Sequence, residues 1–133
     1  MKISRRLRER RDRIIEILKI IDENVDIIIV EGKHDREVLE KLGCKSQIIV
    51  IGDAHKPLFM LIEEIEREHT NSRIAILTDF DDEGEKLNKK MEKMFEGRRV
   101  TIERTLKNKL RKVMLEDNRR RIEEIMGIIE EEI

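Results

Sequence analysis

The sequence predicts an α/β protein, a parallel sheet of about four strands with helices on both faces. Three observations carry that expectation. The runs Val25–Val30 (broken only by Asp26), Ile48–Ile51 and Ile74–Leu77 are apolar and mostly β-branched, as strands buried on both faces must be. Between them, apolar residues recur at three- and four-residue spacing, which marks amphipathic helices. Strands and helices alternate, which is the order of a parallel sheet with crossover connections.

Residues 1–22 read as an N-terminal helix. Ile3, Leu7, Ile14, Ile17, Leu18 and Ile21 share one side, interrupted by Arg11, and Asp22-Glu23-Asn24 ends it. After the first strand, a helix from about Lys33 to Leu42 stops at Gly43, the usual residue just past a helix end. The second strand ends at Gly52. Pro57 then stands where a first helical turn tolerates proline, ahead of the apolar face Leu58, Leu61, Ile62 and Ile65. Asn71-Ser72 turn the chain into the third strand. A helix from about Asp82 to Gly97 leads to a short fourth strand, Val100–Ile102. Residues 104–133 give two C-terminal helical stretches. The first is marked by Leu106, Leu110, Val113 and Met114; the second, weakened by Gly127, by Ile122, Ile125, Met126, Ile129 and Ile133. No repeat or Pro/Gly/Ser linker divides the chain. Residues 1–133 are therefore expected to form one domain, with 25–102 as its core.

Composition narrows the function classes. Of 133 residues, 44% are charged, 38% hydrophobic and only 2% aromatic, so the core must be built from Ile, Leu, Val and Met. No apolar run approaches the roughly 20 residues of a membrane span, and Arg and Lys follow Met1 where a secretory signal would be apolar. Cys44 is the single cysteine, so no internal disulfide can form, which fits a reducing compartment. The expectation is a soluble cytoplasmic protein. Abundant Glu, Lys, Arg and Ile with a lone Gln47 resembles the composition of heat-adapted proteins. The net charge of −1 conceals an uneven distribution. Residues 1–13 hold seven basic residues against two acidic, and 98–121 hold ten against three, whereas the middle of the chain and residues 122–133 are acidic. Two readings of the basic ends stay open: phosphate grips with salt-sensitive binding, or solvated helix faces paired with acids.

In open parallel sheets, ligands bind beyond the carboxyl ends of the strands. Glu31, Asp53, Asp79, Asp81, Asp82 and Glu83 all follow strand ends here. Such a cluster repels itself unless a cation sits in it, and hard carboxylate oxygens suit Mg²⁺. An extended backbone through Asp79-Phe80-Asp81 turns both carboxylates to one side and Phe80 to the other. Gly84 lets the chain turn into the next helix. Asp82 and Glu83 fit a helix N-terminus favouring negative charge. Three other acidic motifs fail on particular residues. An EF-hand loop would need Glu where Lys90 stands, an aspartyl-nucleophile phosphatase would need Thr at Glu83, and Glu31-Gly32-Lys33 lacks the upstream glycine and hydroxyl of a phosphate-binding loop.

The strand ending in Glu31-Gly32, followed by Lys33 and Asp35, resembles the first motif of the Toprim family. Asp79-x-Asp81-x-x-Gly84 after its own strand resembles the second, and the single βα unit between them has the family's separation. The resemblance spans about 25–102 and implies a Rossmann-like core acting on nucleic acid. It also implies Glu31 as general acid or base able to touch metal, Asp79 and Asp81 as ligands of Mg²⁺, and Gly32 and Gly84 as supporting turns. Glu31-Gly32-Lys33 is most similar to the family's nuclease that matures ribosomal 5S RNA, so RNA processing is preferred over DNA chemistry. The chain has no Tyr, which excludes a tyrosyl-DNA topoisomerase unless a partner supplies one, and no template-binding domain for a self-sufficient primase. A non-catalytic Mg²⁺-dependent adaptor, or a subunit docking on protein partners in a larger complex, is the alternative.

Lys33, His55, Lys56, Arg98 and Arg99 are the candidate phosphate or substrate contacts. His34, His55 and His69 have no zinc-like spacing with Cys44. Met91 and Met94 are expected in the core, and so are Phe59, Phe80 and Phe95, which leaves no aromatic for base stacking.

Overall fold

The computed structural model describes residues 4–131. Its elements are α1 (Arg5–Asn24), β1 (Ile27–Val30), α2 (Lys33–Lys41), β2 (Gln47–Val50), α3 (Leu58–Glu68), β3 (Arg73–Ile76), α4 (Asp82–Phe95), β4 (Thr101–Ile102), α5 (Thr105–Glu116) and α6 (Ile125–Glu131). Short 3₁₀ turns occupy Ile51–Asp53 and Ile122–Glu124. Ile3, Ile133 and Lys2 lie outside the described residues. Two strands end one residue earlier than the apolar runs suggested. Ile51 enters the 3₁₀ turn, and Leu77 lies past β3, although its amide still bonds the Ile29 carbonyl at 2.8 Å.

All three strand pairings are parallel, in the order β2-β1-β3-β4. Successive residues of a strand point to opposite faces, and both faces here are apolar. Ile28, Val30, Ala75 and Leu77 pack under α1, α2, α5 and the C-terminal turn, through residues such as Ile14, Val38, Leu110 and Ile122. Ile27, Ile29, Ile74 and Ile76 pack under α3 and α4 through Leu61, Ile62, Ile65, Met91 and Phe95. This is the doubly covered parallel sheet expected from the sequence. No described helix is long and apolar enough to cross a membrane.

The topology fixes where a ligand can approach. From β1 the chain leaves through α2 on one face toward β2; from β3 it leaves through α4 on the other face toward β4. Adjacent strands with connections diverging this way open a crevice between their carboxyl ends. Glu31 follows β1, and Asp79 and Asp81 follow β3. The two halves of the acidic motif therefore meet at that crevice.

Candidate functional site

Three local devices shape the acidic edge. The first is the turn after β1. Asp35, in the first turn of α2, accepts the Gly32 amide on Oδ2 at 3.1 Å, fixing the backbone just behind Glu31. Gly52 on the neighbouring turn donates to the Glu31 carbonyl at 3.0 Å. Gly32 itself sits at φ −135° and ψ 171°, extended backbone open to any residue, and an added Cβ there would meet nothing closer than Asp35 Oδ2 at 4.0 Å. The supporting turn expected at Gly32 therefore does not depend on the residue being glycine.

The second device is the turn after β3, and here glycine is needed. Asp81 caps α4, its Oδ1 accepting the Gly84 amide at 2.8 Å, while Thr78 Oγ1 donates to the Gly84 carbonyl at 2.9 Å. A Cβ on Gly84 would fall 2.0 Å from the Asp79 carbonyl oxygen. The helix can thus start against Asp79 only because position 84 has no side chain. Phe80, buried among the residues under α1 and α5, anchors the loop from the opposite side.

The third device was not visible in the motif. The stretch before and within the 3₁₀ turn Ile122–Glu124 folds over the acidic edge. Phe80 donates its amide to the Arg120 carbonyl at 2.6 Å, Ile122 donates its amide to Asp79 Oδ1 at 2.9 Å, and Arg121 Nε lies 3.8 Å from Asp81 Oδ2. Glu123 adds another negative charge near Asp35 and Asp79.

These contacts leave carboxyl groups crowded together and partly withdrawn from water, with Asp35 buried. Burial, then the charge of Asp79 and a side-chain hydrogen bond to it, raises the Glu31 carboxyl to about 7. Asp79 is raised as well, by burial first and also by Asp81, against the lowering effect of the Ile122 amide. Glu31 and Asp79 are thus both pushed toward their neutral forms, each by burial and by the neighbouring carboxylates. Asp35, raised to about 6, is pushed the same way by burial first and then by the charges of Asp79 and Glu123, against the lowering bond from Gly32. A divalent cation relieves this repulsion where a retained proton otherwise does, and the all-oxygen donor set suits a hard ion. Among the described residues the side chains are not closed into a ready-made metal cage.

The remaining candidates are scattered. Lys33 is exposed at the start of α2, on the acidic edge. His55 is exposed at the same edge, in a left-handed conformation with φ 50°. Lys56 is tied to Glu64. Arg98 and Arg99 are a correction: they precede β4 at the amino end of the sheet, opposite the acids. There Arg98 pairs with Glu66 at 3.0 Å, and the Arg99 carbonyl accepts from Asn71. A parallel strand puts its beginning and its end on opposite edges, so these arginines do not share a phosphate with Asp79. Asp53 faces Arg36 at 3.7 Å.

Much of the basic ends is likewise spent on internal pairs. Arg10 and Arg11 reach Asp117, as does Arg119; Arg104 pairs with Glu92 and Arg111 with Glu85. Phe80, Phe95 and Met91 are buried as expected, and Met94 packs at the core's margin. Phe59 is not: it is 55% exposed, because it falls on the outward side of the first turn of α3.

Sequence reasoning named Asp35 only as a motif residue and missed its hold on the Gly32 amide, and it missed Thr78 and the C-terminal contacts as parts of the site. For Asp35 a signal existed, an acid three residues after the chain turns into a helix. For the C-terminal segment none did, since its contacts with the acidic edge are largely backbone hydrogen bonds.

Comparison with known proteins agrees with this geometry. A family model described as the Toprim domain matches residues 26–116. The chain is similar to a UPF0292 protein of Methanocaldococcus jannaschii, 36% identical over 97 residues that make up 73% of each chain. It is also similar to a UPF0292 protein of Thermococcus sibiricus, 31% identical over 87% of each. Among solved structures, a putative protein from Aquifex aeolicus shares the fold at a TM-score of 0.65 and 23% identity, over 85% of this chain and 95% of that one. The chain belongs to the Toprim domain family, alongside these UPF0292 relatives.

Proposed function

We propose that the protein is a Mg²⁺-dependent nuclease or phosphodiester-transfer enzyme acting on nucleic acid, with RNA as the preferred substrate. Toprim membership associates the chain with metal-dependent nucleic-acid chemistry. The observation that carries the enzymatic reading is the convergence of Glu31, after β1, with Asp79 and Asp81, after β3, at the crevice where the connections of those two strands diverge. Asp79 and Asp81 would hold the ion, with Glu31 at its margin. Bound there, Mg²⁺ supplies charge stabilisation for an in-line displacement at phosphorus. Glu31, at the margin of the ion, would give or take the proton that the displacement requires. Asp35 holds the Gly32 amide and so keeps Glu31 in place. Lys33 supports phosphate approach from the same edge. The preference for RNA rests on the likeness of Glu31-Gly32-Lys33 to the 5S RNA-maturing nuclease.

The alternative is a non-catalytic adaptor that meets nucleic acid through the same edge; the Gly84 amide on one Asp81 oxygen and Arg121 at 3.8 Å from the other weigh against Asp81 as a free metal ligand in either reading. Incubating the purified protein with a pool of structured RNA and DNA, in Mg²⁺ and then in EDTA, separates the two. Chelator-sensitive cleavage supports the enzyme; salt-sensitive binding without cleavage supports the adaptor.

A further inference from the structure

Phe59 and Met60, adjacent in the first turn of α3, are the exposed large apolar residues of the described surface, at 55% and 47%. α3 and α4 cover the same face of the sheet, and both begin at its carboxyl edge, the edge that carries Glu31 and Asp79. On α4 the residues facing the core are Gly84, Met91 and Phe95. With 3.6 residues per turn, Lys86, Lys89 and Lys93 form a row on the opposite, outward side, all exposed. The ion pairs made by α4 involve Glu85 and Glu92, which are turned toward Arg111 and Arg104. No described carboxylate pairs with the lysine row. On α3, Glu64 and Glu66 are taken up by Lys56 and Arg98, whereas Glu63, one turn after Phe59, is exposed and makes no ion pair among the described residues.

An apolar pair at the acidic edge, in the first turn of α3, and a row of lysines without ion pairs that runs from that end of α4 to its last turn match the two faces of an unpaired polynucleotide. Its bases seek a flat apolar partner and its phosphates seek cations. A duplex keeps its base faces stacked internally and offers Phe59 nothing. We propose that Phe59 and Met60 form a stacking platform for an unpaired base of a single-stranded RNA whose phosphates follow Lys86, Lys89 and Lys93. The choice of RNA rests on the nuclease reading above. The substrate is then single-stranded beside the scissile phosphate.

The chain lacks Trp, so Phe59→Trp places a unique fluorophore on the platform. Metal-free titration with a short single-stranded oligoribonucleotide, and separately with its blunt duplex, reads stacking directly. The expected result is quenching by the single strand and none by the duplex. In the same buffer, Phe59→Ala weakens single-strand binding about tenfold and leaves duplex binding unchanged. Changing Lys86, Lys89 and Lys93 together to Gln lowers the slope of log affinity against log salt by about 2. Equal quenching by both probes, no quenching, or a Phe59→Ala protein that binds the single strand as wild type does would overturn the proposal. So would fluorescence that changes with protein concentration alone, which marks a contact between copies of the chain. Quenching without any cleavage by the wild type upholds the platform and removes the nuclease; cleavage without quenching does the reverse.

Discussion

The backbone amide of Ile122 donates a 2.9 Å hydrogen bond to Oδ1 of Asp79, joining residues 43 apart in sequence. The bond ties the C-terminal segment to the acidic edge, and the Ile122 side chain is fully buried beneath it. The segment thereby does two jobs. It covers the core under α2, and it supplies a donor that favours the ionised form of Asp79, the form a cation needs.

Ile122→Pro removes that donor at the first residue of a 3₁₀ turn, where the ring is tolerated, and Ile122→Ala keeps the donor while opening a cavity. A hydrogen bond to a charged group contributes about 1.5–3 kcal/mol. Ile122→Pro should therefore bind Mg²⁺ about tenfold more weakly than Ile122→Ala in calorimetric titrations at neutral pH. Equal affinities would remove the amide from the account.

Stability should fall as pH rises across the range in which Glu31 loses its proton. Glu31 titrates at about 7 in the folded protein against 4.5 as a free side chain. Between those values the folded state holds a proton that the unfolded chain has released. Its contribution is complete below about pH 4.5 and lost as pH rises through about 7. Because the group is half-exposed, the effect is about 1–2 kcal/mol. Thermal melts in EDTA between pH 5 and 8 should show wild type losing ground to Glu31→Gln, with Mg²⁺ restoring wild type most at pH 8. A constant difference between the two proteins would argue against the retained proton.

Gly84→Ala and Gly32→Ala should behave oppositely. The first forces a Cβ to 2.0 Å from the Asp79 carbonyl oxygen; the second meets nothing nearer than 4.0 Å. Denaturant unfolding should show Gly84→Ala destabilised by about 3 kcal/mol or more and Gly32→Ala changed by less than about 0.5 kcal/mol. A tolerated Gly84→Ala would mean that α4 can begin elsewhere.

Lys107 offers a test away from the site. It is 3% exposed, its Nζ has no hydrogen-bond partner, and burial lowers it to about 8 from 10.5. Below about pH 8 the charge is buried at a cost, so Lys107→Met should stabilise the protein by about 1–2 kcal/mol at pH 7. Between about pH 8 and 10.5 the unfolded chain holds a proton that the folded one lacks, so wild-type stability rises with pH and the advantage of Met shrinks. Melting curves at pH 7 and 10 check the sign.

The sheet was legible because β1, β2 and β3 are short apolar runs separated by clear helical periodicity. The acidic motif was legible because strand ends in a parallel sheet share an edge, which brings Glu31 and Asp79 together from the strand pattern alone. Arg98 and Arg99 were misplaced because proximity to a motif in sequence does not say which edge a residue occupies. Phe59 falls outside the core because Leu61, Ile62 and Ile65 already fill the inward face of α3. The contacts of Arg120 and Ile122 were invisible because they are made by backbone groups every residue carries.

The central claim is tested most directly by measuring RNA cleavage in Mg²⁺, with RNA affinity in EDTA measured on the same preparations, for wild type, Asp79→Asn and Glu31→Gln. Wild type should cleave only with Mg²⁺, and Asp79→Asn should not cleave. Glu31→Gln should lose turnover by about 100-fold or more while keeping wild-type affinity. Full cleavage by either variant would contradict the assignment of this crevice as the catalytic site.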